Sequence, residues 1–344
     1  MLTNLFYGSI IGTSQKHRAV KPVRKEETKM KKIVSIILAS VLMLGAVFSF
    51  ASCKAPDDTP TLTVAFSPDF APMEFVDSSQ TGDDKYVGFD ILLTYYIAKE
   101  LNMKVELKPM SFDAVLMAVE TGAVDLGISG FSWTPDRAQT YLISDWYKAG
   151  ENETEQTIIV PKDKAGQYTT AESFNGLKIG AQTASLQDVL VKDQIPGAIV
   201  QNYKNLNDAY LALVSGQIEA LAVAKGNGDA FISEEDKVAF AGFDFVVDDL
   251  YKNNVILLNK SDNELLEKVN AALDKAKAAN LYDSWYEACT VLAGISTLDE
   301  SGYDDNGNYV GEGGIEGSGV VTDADAALKV PYLKFLNEYK NKEN

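Results

Sequence analysis

Histidine is nearly missing from this 344-residue chain: its one copy, His17, lies in the first 52 residues. Without histidine beyond that point the chain cannot assemble a Ser-His-Asp or Cys-His mechanism. It also lacks the commonest ligand of zinc and copper. Two cysteines, Cys53 and Cys289, cannot build a disulfide framework. Basic residues are scarce and unevenly placed. The first 52 residues hold eight of them against two acids; the remainder keeps 23 basic and 47 acidic side chains, a net charge of −24. Such a surface repels phosphate backbones and excludes nucleic acid as a partner. No metal or cofactor is expected. Asp304, Asn306 and Asn308 alternate as calcium ligands do, but no glycine follows at position six and no acid at position twelve of such a loop.

A hydrophobic share of 46% with 23% charged residues is ordinary for a globular protein, and the length exceeds what one core usually holds. Met30-Lys31-Lys32 precedes an apolar or small run from Ile33 to Ser52. A short positive start, an apolar stretch and small residues before a cleavage point make an export signal, with Met30 as the expected true start. An uncleaved membrane helix is the alternative, since Ile33 to Phe50 could nearly span a bilayer. After Cys53 a tether of Pro and Asp runs to residue 61, so the expected order is 1–52 extension plus signal and 53–61 tether.

From Leu62 the hydrophobic pattern changes. Leu62–Phe66, Val105–Leu107 and Asp125–Ile128 read as strands. They are separated by a helix with Phe89, Leu93, Ile97 and Leu101 on one stripe and by a helix over 113–121 ended by Gly122. The pattern restarts with strands at Leu177–Ala181, Ile199–Tyr203 and Ala220–Val223 and helices at Leu186–Lys192 and Leu206–Val214. Val255–Leu258 and a helix over 263–279 follow, and Leu328–Tyr339 reads as a terminal helix of unknown partner. This alternation predicts two α/β units in tandem, each with a parallel, helix-covered sheet. Ligands then sit beyond the carboxyl ends of the strands, in a cleft between the units.

The order of short motifs carries more. Phe70-Ala71-Pro72-Met73-Glu74-Phe75 is followed by Val87-Gly88-Phe89-Asp90-Ile91, Ser111-Phe112-Asp113-Ala114 and Gly122-Ala123-Val124-Asp125-Leu126. Then come Gly130-Phe131-Ser132-Trp133-Thr134-Pro135-Asp136-Arg137, Ser144-Asp145-Trp146-Tyr147, Ile179-Gly180-Ala181-Gln182 and Ser215-Gly216-Gln217-Ile218-Glu219-Ala220. Over residues 62–286 this series resembles the bacterial extracellular solute-binding proteins of family 3, the polar amino acid type. Phe50-Ala51-Ser52-Cys53 resembles a lipobox, which implies lipidation of Cys53 and an anchor at the cell surface or periplasmic face of the membrane.

The resemblance implies a periplasmic-binding-protein-like fold of type II, two three-layer α/β lobes joined by crossovers near Thr157–Pro161 and Asp248–Asn254. Lobe one would hold 60–158 and 254–290, lobe two 159–253, and 291–344 a Gly/Asp-rich extension. It also implies site roles. Arg137 would grip a ligand carboxylate through two parallel hydrogen bonds, which lysine cannot reproduce. Ser132 would donate to the same group, Ser129 and Gly130 would line the pocket, and Phe70 and Phe112 would wall it. Ser185 would serve from the second lobe, beside Ala184 where the family has glycine. Ala224 stands where the family has the aspartate that holds the ligand ammonium, and Ser67 where binders of basic side chains have an acid. Glu74, Asp145 and Asp229 are the candidates to replace that aspartate. Cys289 reads as a buried apolar residue.

The function implied is the substrate-binding lipoprotein of an ABC importer. It would close on a small carboxylate, an amino acid or relative, and dock on permease and ATPase subunits. No enzyme activity is expected. The alternatives are a cyclohexadienyl-dehydratase-like enzyme on the same fold, with Glu74 as general acid or base, and a ligand-sensing ectodomain.

Overall fold

Leu62 and Val64 alternate with threonines in β1 (Thr61–Phe66), and Leu62, Val64, Ala65 and Phe66 are all buried, so both faces of the strand are covered. The computed structural model describes residues 58–147, 155–295 and 324–340. The expected signal, Cys53 and the loop at Asp304 lie outside them. The described residues from Thr59 onward form one compact unit.

A hairpin of β2 (Phe75–Val76) and β3 (Tyr86–Val87) leads into helix α1 (Phe89–Glu100). The chain returns as β4 (Lys104–Pro109), parallel to β1 along its whole length. Helix α2 (Phe112–Glu120) leads to β5 (Leu126–Gly127), parallel to β1 on its other side. After α3 (Pro135–Thr140) and β6 (Leu142–Ile143) the chain leaves this sheet. It comes back as β12 (Leu257–Leu258), completing the order β4-β1-β5-β12-β6.

The second sheet has the order β11-β7-β10-β8-β9. Its strands are β7 (Gln156–Pro161), β8 (Lys178–Gln182), β9 (Ile199–Tyr203), β10 (Ala220–Ala224) and β11 (Val238–Asp244). Helices α4 (Leu186–Gln194), α5 (Leu206–Val214) and α6 (Lys225–Glu235) connect them. The two sheets, each helix-covered, are the two expected lobes. One boundary differs: all of β7 belongs to the second sheet, so the first crossover precedes Gln156 and does not fall at Thr157–Pro161. The return is complete by Asn254, which bridges to Ser132 and Tyr147.

Helix α6 escaped the hydrophobic pattern because Gly226 and Gly228 depress its helical propensity. Packing explains one of them: a side chain at residue 228 would come within 2.7 Å of the Phe240 ring on β11.

The chain ends in α7 (Asn263–Ala278), α8 (Leu281–Leu292) and α9 (Ala324–Lys340). The last of these is no separate appendage. Tyr332, Phe335, Leu336 and Tyr339 are buried in the first lobe's core, with the Tyr339 ring 5.6 Å from Trp285 and 5.3 Å from Tyr96. The Gly88 amide donates to the Tyr332 hydroxyl at 3.0 Å. Gly88 must be glycine, since its φ is 123° and a Cβ would lie 2.2 Å from the Met73 carbonyl oxygen. Cys289 is fully buried in the same core.

Candidate functional site

Two loops leave the carboxyl ends of neighbouring strands in the first lobe. The loop after β1 carries Ser67, Asp69 and Phe70; the loop after β5 carries Ser129, Gly130 and Ser132 before α3 begins. Thr134 caps α3 by accepting from the Arg137 amide at 3.2 Å, and Pro135 occupies its first turn. That short helix turns Arg137 back on its own loop. Its Nη1 donates to the Ser132 carbonyl at 2.7 Å, and the guanidinium lies over the Phe112 and Phe131 rings at 5.7 and 5.2 Å.

In the second lobe, β8 runs out through Gln182 to Ala184 and Ser185. The Ser185 hydroxyl caps α4 by accepting from the Asp188 amide at 3.2 Å. Ala184 has φ 65°, the left-handed conformation that favours the glycine of the family. The alanine keeps that conformation, and its carbonyl accepts from Arg137 Nη2 at 3.2 Å.

These loops face each other across a crevice. Phe70, Phe112, Ser129, Gly130, Ser132, Arg137 and Ser185 all line it. The lobes are drawn together over it. Asp69 accepts from Gln182 Nε2 at 3.1 Å and from the Leu206 amide at 2.6 Å, and Asn227 Nδ2 donates to the Ala71 carbonyl at 3.4 Å. Residues the sequence reading missed complete the lining: Gln156, Gln182, Leu186, Gln187 and Asn254. Gln156 and Asn254 stand where the chain passes between lobes, and polar residues flanking a crossover were the available signal.

Glu74 is a correction. It does not line the crevice but lies fully buried behind it, and Ser129 Oγ donates to its Oε1 at 2.5 Å. The same Oγ accepts from the Ser67 amide at 3.0 Å. Beside Glu74 is Asp90, whose Oδ2 accepts from the Gly130 amide at 2.7 Å and the Tyr147 hydroxyl at 3.1 Å. Burial, then the charge of Asp90, pushes Glu74 well above the carboxylate range. Burial raises Asp90 to about 7. Two desolvated carboxyls side by side resist ionising together, and Glu74 Oε2 and Asp90 Oδ1 are both buried without a hydrogen-bond partner, so the pair favours retaining a proton. Asp145 and Asp229 do not line the crevice either. None of the three proposed substitutes for the family's ammonium-binding aspartate reaches the site.

Arg137 is therefore the one charged side chain among the lining residues described. It is 7% exposed and hydrogen-bonds only to carbonyl oxygens. Burial lowers its pKa to about 10, partly offset by Tyr141, and it stays cationic at neutral pH. A desolvated guanidinium that lacks a carboxylate partner favours any anion that reaches it.

Among the described residues no helix is long and apolar enough to cross a membrane, and no cluster of three or more His, Cys, Asp or Glu side chains could hold a metal ion.

Comparison with known proteins agrees with this geometry. Residues 62–288 match the family model of the bacterial extracellular solute-binding proteins, family 3. A Campylobacter jejuni protein named "Probable histidine-binding protein" is 29% identical over 234 residues, 66% of this chain and 83% of its own. An amino acid ABC transporter substrate-binding protein of Streptococcus pneumoniae, solved with L-arginine bound, superposes with a TM-score of 0.61. It is 30% identical and the match covers 69% of this chain and 97% of that one. An ancestral arginine-binding protein solved with glutamine has a TM-score of 0.59 at 32% identity, covering 66% and 96%. The likeness establishes the two-lobed, type II periplasmic-binding-protein-like fold.

Proposed function

Because the chain belongs to family 3 of the bacterial extracellular solute-binding proteins, we propose that it captures a small carboxylate solute by closure of its two lobes. It then hands the solute to an ABC permease driven by its ATPase. Residues 30–52 export the protein and a lipid on Cys53 tethers it to the membrane. Support for the last step is the lipobox-like Phe50-Ala51-Ser52-Cys53.

The observation that carries the solute reading is Arg137, a buried cation without a carboxylate partner at the junction of both lobes. A guanidinium has five N–H donors. Two are used on the Ser132 and Ala184 carbonyls, and the rest are available to a ligand carboxylate. The amino terminus of α4, with Ser185, Leu186 and Gln187 on the crevice, adds positive backbone dipole from the opposite side. A ligand held from both sides stabilises the closed state over the open one, and that differential affinity drives closure. A dehydratase reading needs a general acid or base at the ligand, and Glu74, its nominee, lies one side chain behind the surface.

The test is a thermal-shift screen of the purified protein against small carboxylates. Saturation at a hundredfold excess over the dissociation constant adds about 2.7 kcal/mol of stability. Arg137→Ala should lower affinity for the best carboxylate at least thirtyfold, about 2 kcal/mol. Arg137→Lys should not restore it, because a point charge cannot form the fork. Unchanged binding in Arg137→Ala would refute the anion site.

A further inference from the structure

We infer that the ligand is a carboxylate with no cationic group: an amino acid whose α-nitrogen is acylated, or a carboxylic acid with a hydroxyl or oxo group in its place. This rests on the solute-binding reading above and narrows it.

The charge inventory of the crevice carries the inference. Arg137 is its only ionised side chain among the described residues. The other polar side chains are the amides Gln156, Gln182, Gln187 and Asn254 and three serines. The acids nearest the crevice are already engaged elsewhere. Asp69 spends its oxygens on Ser67 Oγ, Gln182 Nε2 and the Leu206 amide. Asp90 accepts from the Gly130 amide and the Tyr147 hydroxyl, and Glu74 is fully buried and accepts from Ser129 Oγ. A carboxylate entering this crevice cancels the Arg137 charge and leaves the site neutral. A zwitterion brings a second cation into a desolvated space with no carboxylate to receive it, and a buried ammonium without an anion is strongly disfavoured. Side-chain amides, in contrast, both donate and accept, which suits an acyl amide, a hydroxyl or an oxo group.

Strand pairing locates where a compensating charge would have to sit. Ala224 on β10 is directly opposite Gln156 on antiparallel β7, so both side chains share a face. Gln156 lines the crevice and its Oε1 accepts from Gln187 Nε2 at 2.6 Å. Both positions that could present an acid there, 156 and 224, carry uncharged residues.

The experiment is isothermal titration of the protein, purified after expression of the full chain, with matched pairs: L-glutamine and N-acetyl-L-glutamine, L-phenylalanine and L-3-phenyllactate, L-leucine and L-2-hydroxyisocaproate. In each pair that binds, the partner without the ammonium should bind at least tenfold tighter. A zwitterion that binds as tightly as its partner, or tighter, overturns the inference and leaves solute capture standing. Binding by neither member of any pair overturns both. Gln156→Glu keeps the shape and the acceptor for Gln187 while making the crevice neutral. It should weaken the anion and strengthen the zwitterion, each at least fivefold. Ala224→Asp should do the same by a separate route, with folding of each variant checked by its unfolding midpoint. An equal loss for both partners would mark these residues as structural and defeat the charge argument.

Discussion

The carboxylate of Asp69, in the first lobe, accepts a hydrogen bond from the Leu206 amide of the second at 2.6 Å. Gln182 reaches the same oxygen from the end of β8, and Ser67 Oγ holds the other at 2.8 Å. One buried side chain thus fastens the amino end of α5 and the edge of the crevice to the loop that carries Phe70.

Removing that charge should favour the open form. Asp69→Asn keeps the shape but weakens bonds to an ionised acceptor, each worth about 1.5–3 kcal/mol. The variant should show a larger radius of gyration by solution scattering without ligand and about tenfold weaker binding. A scattering profile identical to that of the parent would mean the lobes are held by other contacts.

Asp90 makes stability depend on pH. Its pKa rises from 3.8 to about 7 on folding, chiefly through burial, so the folded protein binds an extra proton between these values. Raising the pH across that window opposes folding, by up to about 4 kcal/mol through Asp90, and Glu74, pushed up by burial and by the Asp90 charge, extends the loss to higher pH. Asp90→Asn cannot titrate. Chemical denaturation from pH 4.5 to 8 should therefore show the parent losing stability relative to the variant as the pH rises. Parallel curves throughout would contradict a protonated pair behind Ser129.

Ala184→Gly should stabilise the protein, because the left-handed backbone at φ 65° carries a penalty of about 1 kcal/mol for a residue with a Cβ. Urea unfolding measures it directly. A loss of stability would mean that the flexibility glycine gains in the unfolded chain outweighs the relieved strain.

Tyr332→Ala should cost about 3–5 kcal/mol, since it empties a fully buried site and removes the partner of the Gly88 amide. The same variant should change ligand affinity little, because α9 packs on α1 and α8 and does not line the crevice. A surface-like effect below 1 kcal/mol would show that α9 contributes no core.

The surroundings of Arg137 were readable because they are local. Ser132, Thr134 and Arg137 form a closed circuit in which the threonine caps the helix and the arginine returns to the serine carbonyl, all within six residues. The strand ends at Ala181 and Ile128 followed from alternation, and their place at the crevice from the rule that ligands gather beyond carboxyl termini. Glu74 misled because one residue type serves two purposes: only its complete burial and its bond to Ser129 separate a supporting acid from a ligand contact. The role of α9 was hidden for a different reason. Its aromatic stripe is visible, but Gly88 and Trp285 are its partners only once the chain has doubled back.

Arg137 belongs to one lobe, yet one of its hydrogen bonds ends on the Ala184 carbonyl of the other. If the lobes swing apart as proposed, that bond would be exchanged for water, and the cation would be rehydrated at the moment its proposed anion becomes accessible. Solvent would then compete for both halves of the ion pair. Discharge of such a cargo would need no chemical trigger at the site, only a docking surface that holds the jaws open.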